Sequence, residues 1–418
     1  MNEKLFSPSS EAAIHIEDVA PSVPEVGTVS DRDAMRRLGK QQLFKRNFGF
    51  TSIFGFAMIL MCTWETVLGT VAFGLSNGGP SGLLYTYIAV WLGYILIAFS
   101  MAEMASMAPT AGGQYHWCSE FAPRSCQKQV SYVVGWLGIL AWQVGSTVGA
   151  FISATIIQGL VVLSCPSYGY QRWHGTLIAM LITLFSALFN VLLAKWLPIV
   201  ENMILVLHFA AWITILIPLW VLAPRTPHSG VWSFFIDAGW GNTGVACLVG
   251  MITNVGAFIG SDAPAHMAEE LKDASKTLPR VMGWTILVNG AMGFIALVTF
   301  CYTVGDVEAA ITTTTGYPII EVFYSATGSV AGTIGLSVLL IILNFVNNIT
   351  SMAGASRQTF AFARDRALPF SSWISRVSQR FVVPTNAIIL SSVIACIFHC
   401  INIGSAIAWN IIMSVGTV

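Results

Sequence analysis

The sequence predicts an all-α polytopic membrane protein whose spans fall into two five-span halves of opposite topology. Three observations carry this. The composition is too apolar for a soluble fold. The apolar residues gather into successive membrane-length segments. Two of those segments, five spans apart, are interrupted by a carboxylate among glycines. The composition is explicit: of 418 residues 55% are hydrophobic and 10% charged, against about 25% charged in a soluble domain, and mean hydropathy is +0.71. Twenty Lys and Arg balance twenty Asp and Glu, so no basic footprint for nucleic acid is present. The eight cysteines, at 62, 118, 126, 165, 247, 301, 396 and 400, form no CxxC pair and no metal-ligand spacing, and most, lying inside apolar runs, read as small buried hydrophobes.

Residues 1–46 differ from the rest, with Ser, Pro and Glu early and basic residues from Arg36 to Arg46 late. With no apolar core near the start they are not a cleavable signal, and they read as a disordered cytosolic tail. The segments 48–77, 82–107, 130–163, 174–194, 197–222, 243–268, 281–304, 328–354 and 386–403 then follow, each long enough to cross about 30 Å of hydrocarbon. A tenth begins near Ser405 and reaches Val418 incomplete. The expected division is therefore tail 1–46, first repeat 47–222 (spans 1–5) and second repeat 223–418 (spans 6–10, the last truncated). With the N-terminus on the cytoplasmic side, 18 of the 20 Lys and Arg fall in inside segments and only Arg172 and Arg225 outside, as the positive-inside bias requires.

Spans 1 and 6 are poor continuous helices. Span 1 reads Cys62-Thr63-Trp64-Glu65-Thr66 between Gly55 and Gly69; span 6 reads Asn254-Val255-Gly256-Ala257-Phe258-Ile259-Gly260-Ser261-Asp262-Ala263-Pro264. Broken segments at corresponding places in two halves point to an inverted-repeat transporter. Half-helix N-termini offer free N–H groups to a carboxylate, and unwound carbonyls suit an ammonium or cation. Two readings stand for Glu65: it attracts an ammonium or holds a proton, or it caps a helix beside Thr63 or Thr66. The same pair of readings applies to Asp262. Trp64, Trp142 and Phe258 are candidates for an aromatic wall around an ammonium. Glu103 and Glu201 read as structural, Glu201 as an interfacial carboxylate opening span 5. His116, His208 and His266 read as satisfied structural histidines, and Asn344, Asn347 and Asn348 as interhelical hydrogen-bonding groups. No HExxH, nucleotide loop or acyltransferase cluster supports an enzyme, and no filter loop or charge ring supports a channel.

Longer motifs sharpen this. Glu103-Met-Ala-Ser-Met-Ala-Pro-Thr-Ala-Gly-Gly-Gln-Tyr115-His-Trp117 resembles the second-to-third-span signature of the amino acid–polyamine–organocation superfamily. Trp64-Glu65 with Asn77-Gly78-Gly79-Pro80-Ser81-Gly82, His266-Met267-Ala268-Glu269-Glu270, and Phe362-Ala363-Arg364-Asp365-Arg366-Ala367-Leu368-Pro369 resemble its fungal amino-acid/choline/GABA permease branch. The resemblance implies a leucine-transporter-like 5+5 inverted repeat that imports an amino acid, GABA or choline, with no cofactor and a proton as coupling ion. It implies a substrate site of Thr63, Trp64, Glu65, Thr66, Trp142, Gly256, Phe258, Ile259, Gly260 and Ser261, with Thr63–Thr66 and Gly256–Ser261 unwound and with Glu65 and Asp262 coupling the proton. The expected partners are the small-molecule substrate and the lipid bilayer, and the expected location is the plasma membrane. Members of this family have twelve spans, and this chain ends inside the tenth. The reading from a different class is therefore a non-transporting nutrient sensor or an inactive truncated isoform.

Overall fold

A computed structural model describes residues 27–165 and 167–417. In chain order the helices are α1 (Val29–Arg37), α2 (Phe50–Met61), α3 (Thr63–Ser76), α4 (Gly79–Met107), α5 (Gln114–Phe121), α6 (Gln127–Ser164), α7 (Arg172–Leu192), α8 (Leu197–Leu222), α9 (His228–Trp232), α10 (Thr243–Gly250), α11 (Ile252–Gly256), α12 (Ala263–His266), α13 (Ala274–Thr303), α14 (Val307–Ile311), α15 (Pro318–Thr327), α16 (Val330–Arg364), α17 (Ser371–Ile374), α18 (Thr385–Gly404) and α19 (Ala406–Thr417). Among the described residues eight helices are long and apolar enough to cross a membrane, α2 and α3 counting as one, and Thr243–Gly256 is a shorter apolar helix. They fall on the expected spans: α2–α3 on span 1, α10–α12 on span 6, α13, α16 and α18 on spans 7, 8 and 9, and α19 on the start of span 10.

The polytopic all-α class follows from this layout, because lipid leaves the backbone no partner outside its own helix. Exposed leucines and valines such as Leu181, Val206, Val221 and Leu96 cover the outside, as a lipid-facing surface demands. The inside holds two large apolar clusters. One is built on Trp64, Val67, Tyr87, Phe258 and Phe300, the other on Phe48, Phe56, Trp117, Trp142 and Met267. Helix α6 lies along α16, and α13 along α4. Gly149 permits the first of these approaches, since a Cβ there would sit 2.6 Å from the Asn344 carbonyl oxygen. Asn348 then ties three helices together: its Oδ1 accepts from Ala150 N–H at 3.1 Å and its Nδ2 donates to Ser186 at 2.9 Å.

Two expectations are corrected here. The tail was expected to be disordered through residue 46. Its residues 1–26 lie outside the described residues, but α1 is helical and closed by a capping box between Thr28 and Asp31. Asp31 is buried and accepts from the N–H groups of Asp273 (3.0 Å) and Ala274 (3.1 Å), capping α13, and it lies 3.4 Å from Arg46. The carboxylate satisfies N–H groups that α13 cannot, which is what orders the segment. Glu201 is not interfacial. It is fully buried, its Oε1 accepts from Thr350 at 2.9 Å, and its Oε2 has no partner among the described residues.

Candidate substrate and coupling site

The break in span 1 is a single residue. Cys62 adopts a left-handed conformation (φ 45°) and separates α2 from α3. Thr63–Thr66 are therefore not unwound, as the resemblance implied, but form the first turn of α3, closed by Thr66 N–H to the Cys62 carbonyl at 2.9 Å. That turn leaves the N–H groups of Thr63, Trp64 and Glu65 without intrahelical acceptors. On the other side of the kink the last carbonyls of α2 are capped by asparagines from distant helices. Asn347 of α16 donates to Ile59 (2.7 Å) and Leu60 (2.9 Å), and Asn289 of α13 donates to Met58 (2.9 Å).

Span 6 breaks over a longer stretch. Helix α11 ends at Gly256, residues 257–262 run in turns, and α12 restarts at Ala263 behind Pro264. Gly260 sits at φ +87°, a region side chains avoid, and a Cβ there would overlap Leu60. The two breaks therefore face one another across this glycine. Helix α11 packs on α3, and Thr253 lies beside Gly74.

Buried polar atoms without a hydrogen bond gather at the start of α3: Thr63 Oγ1, Trp64 Nε1 and both carboxylate oxygens of Glu65 lack one among the described residues, as do Thr253 Oγ1 and Asn254 Oδ1 further along, where α11 lies against Gly74 and Leu83. Glu65 is wholly buried, and His208 Nδ1 of α8 lies 2.7 Å from its Oε1. The contact has the distance of an ion pair but not the angles of a hydrogen bond. His208 Nε2 is 3.2 Å from Asn289 Oδ1, and the Trp64 ring packs on the imidazole at 5.8 Å. Buried polar groups in native structures are almost always partnered, so this cluster of donors and acceptors suits a bound polar molecule.

Asp262 lies at the end of the span 6 break. Its Oδ2 accepts from Gln114 Nε2 (2.6 Å) and Trp142 Nε1 (3.3 Å), and His266 Nε2 is 3.1 Å away. Trp142 also packs edge-on against His266 at 4.9 Å. The three aromatics do not form one wall. Phe258 is buried between Tyr87 (5.2 Å) and Tyr94 (5.4 Å) in the cluster that holds Trp64, whereas Trp142 belongs to the other. Gly256, Ile259 and Thr66 are half-buried beside the breaks, and Ser261 is buried. Two of the three histidines read as structural, His208 and His266, each sit on one of the two carboxylates. Nothing in local sequence pairs residue 208 with 65, while the four-residue spacing of Asp262 and His266 on one helical turn is a signal that was there to be used.

Next to this site, on the side where α1 packs, lies a charged network. Arg364 binds Glu269 through two bonds (2.7 and 2.8 Å), Arg357 binds Glu270 at 2.9 Å, and Lys40 reaches Asp365 at 3.0 Å. Burial raises the Glu269 carboxyl, but Arg364, Lys40 and the Ala111 N–H outweigh it and hold the group below the usual carboxylate range. His116 on α5 is driven down to about 4, by burial first and then by Lys40.

Spans that break in pairs, meet at a glycine and bury unpartnered polar atoms define a membrane carrier. Residues 48–418 match the amino acid permease family model. The chain belongs to that family. It is 32% identical to a Macrophomina phaseolina protein that carries the name amino acid/polyamine transporter, over 87% of this chain and 80% of that one. It is 28% identical to the choline transporter of Saccharomyces cerevisiae, over 92% and 69%, and 26% identical to amino-acid permease 2 of Neurospora crassa, over 96% and 75%. These are transporters and permeases, not enzymes, and the chain is a multi-pass membrane permease.

Proposed function

We propose that this permease imports a small amine or amino acid (an amino acid, GABA or choline) by proton symport with alternating access. The observation that carries the reading is the cluster of buried polar atoms without hydrogen bonds at the start of α3, beside the span 1 kink. A substrate carboxylate fits the free N–H groups of Thr63, Trp64 and Glu65 at the start of α3. A substrate ammonium fits the Glu65 carboxylate and the Trp64 ring. Glu65 and Asp262 couple the proton, and residues 47–222 and 223–418 act as inverted repeats that rock about the breaks. The Lys and Arg distribution supports a cytoplasmic N-terminus, and the plasma membrane is the membrane proposed.

The test is ligand-dependent thermal stabilisation of the purified protein against choline, GABA and single amino acids. A ligand at about 100 times its Kd stabilises by about 2.7 kcal/mol. One class of ligand is expected to stabilise wild type, and Glu65→Gln and Thr63→Val are expected to lose most of that gain. Stabilisation that survives both substitutions places the ligand elsewhere, and none across the panel removes the substrate class proposed.

A further inference from the structure

The first half of span 1 ends in carbonyls. Helix α2 closes at Met61, and the carbonyl oxygens of its last turn have no N–H groups ahead of them in their own helix. Inside a membrane carrier, carbonyls at the end of a half-helix are natural ligands for a coupling metal ion, because hard cations bind through oxygen. In this chain side-chain amides serve them instead. Asn347 Nδ2 of α16 donates to the Ile59 carbonyl at 2.7 Å and to the Leu60 carbonyl at 2.9 Å. Asn289 Nδ2 of α13 donates to the Met58 carbonyl at 2.9 Å, which also accepts from Cys62 N–H at 3.0 Å.

The orientation of the Asn347 amide follows from these partners. A carbonyl oxygen only accepts, so the amide nitrogen faces α2 and the amide oxygen turns away from it, to within 3.5 Å of Ser351 Oγ. Both hydrogens of the NH2 group are engaged, one on each of two successive carbonyls. The nitrogen therefore occupies the point between those two oxygens where a metal ion would have to sit. Helix α6 leaves room for the side chain: a Cβ on Gly149 would stand 2.7 Å from Asn347 Oδ1. Asn347 is buried, so water does not compete freely for the two carbonyls.

We propose that Asn347 sets the ion specificity of this carrier: its amide takes the place of a coupling metal ion at the span 1 kink and joins α2 to α16 without one, so that the chain binds neither sodium nor potassium there. The inference deepens the permease reading and rests on it for its use in transport; the ion response is a property of the folded chain. In a metal-coupled carrier the ion's binding energy draws the end of the half-helix onto its neighbour. Here two N–H···O bonds do so with no ion, and closure at this end does not wait for a metal. The same geometry fixes the effect of Asn347→Asp. The side chain keeps its shape, loses both N–H groups and sets a carboxylate against the Ile59 and Leu60 carbonyls. Those oxygens repel one another until a cation binds between them, with Ser351 Oγ at hand as a further oxygen ligand.

The test is reversible unfolding of the purified full chain in mixed detergent micelles, followed by tryptophan fluorescence, in lithium, sodium or potassium chloride against N-methyl-D-glucamine chloride at constant ionic strength. Wild type is expected to unfold at one midpoint in all four salts. Asn347→Asp is expected to be less stable than wild type without alkali ions and to recover in sodium, its unfolding constant falling about tenfold for each tenfold rise in sodium above the Kd of the new site. Asn347→Ser frees the same two carbonyls without adding a charge and is expected to respond to sodium more weakly and with the same sign, so the test survives if Asn347→Asp does not fold. An alkali-ion-specific gain in wild type overturns the proposal, and so does the absence of an ion response from every folded variant. Uptake of labelled choline, GABA and amino acids beside these keeps the two claims apart. The expected ion responses without uptake support the role of Asn347 and refute the permease reading, whereas uptake that requires external sodium refutes the role of Asn347 and leaves the permease reading standing.

Discussion

Replacing Arg364 by Ala removes the side chain that makes two bonds to Glu269. The Glu269 carboxylate is 1% exposed and Arg364 17%, so the pair is shielded well enough for its energy to matter. Without Arg364 the carboxylate keeps one hydrogen bond, from Ala111 N–H at 3.3 Å. It must then remain charged and uncompensated or take up a proton, and breaking a buried pair from one side costs about 3–5 kcal/mol. Lys40 remains in the neighbourhood and Arg364 has some access to water, so the lower end, about 3 kcal/mol, is expected. Glu269→Gln frees a partly exposed guanidinium and costs less, about 1–2 kcal/mol. The assay is reversible unfolding in mixed detergent micelles, followed by tryptophan fluorescence, as a double-mutant cycle with an expected coupling of about 1–3 kcal/mol. The sign with pH is fixed. Glu269 is held below its unfolded value, so its contribution is complete above the ordinary carboxylate range and is lost as pH falls through the folded value. Arg364→Ala abolishes that acid limb. A variant within about 1 kcal/mol of wild type, or one that keeps the limb, refutes the argument.

Three further outcomes are expected. His116, lowered to about 4 from an unfolded value of about 6.5, stays neutral in the fold while the unfolded chain takes a proton, so stability falls as pH drops across that interval by about 2–3 kcal/mol; His116→Asn removes this slope, and an unchanged slope refutes it. Asn347→Leu leaves the Ile59 and Leu60 carbonyls at the span 1 kink without their donor and lowers stability by about 1–3 kcal/mol, read by the same micellar unfolding; no loss means another group caps them. Gly260→Ala forces a side chain into a left-handed conformation, at about 1–2 kcal/mol, and pushes it into Leu60 across the two breaks; ligand stabilisation is expected to fall with it, and unaltered ligand response shows that the breaks need not meet there.

The spans were legible because membrane length and apolarity are properties of contiguous residues. The carboxylates were legible for a similar reason, since Glu65 and Asp262 stand out in apolar surroundings. What the sequence misplaced depends on contacts between distant segments. The broken segment of span 1 was legible, but not that it reduces to a kink at Cys62, because a left-handed cysteine is held by neighbours rather than by its own preference. Its carbonyls are capped by Asn347 and Asn289, more than 200 residues away, and His208 beside Glu65 is likewise distant in sequence. Glu201 looked interfacial because Pro198 precedes it, yet packing of α2 and α16 over α8 buries it. In the tail, Thr28 and Asp31 have capping-box spacing, and composition outweighed that local signal in the reading of disorder.

The most direct test of the account is uptake of labelled choline, GABA and a mixed amino-acid set at pH 5 and pH 7.5, by cells lacking their own permeases and expressing this 418-residue chain. The account predicts uptake of one substrate class, stronger at pH 5 and lost in Glu65→Gln. Uptake that ignores both pH and Glu65, or no uptake from a chain shown to be folded at the cell surface, contradicts it.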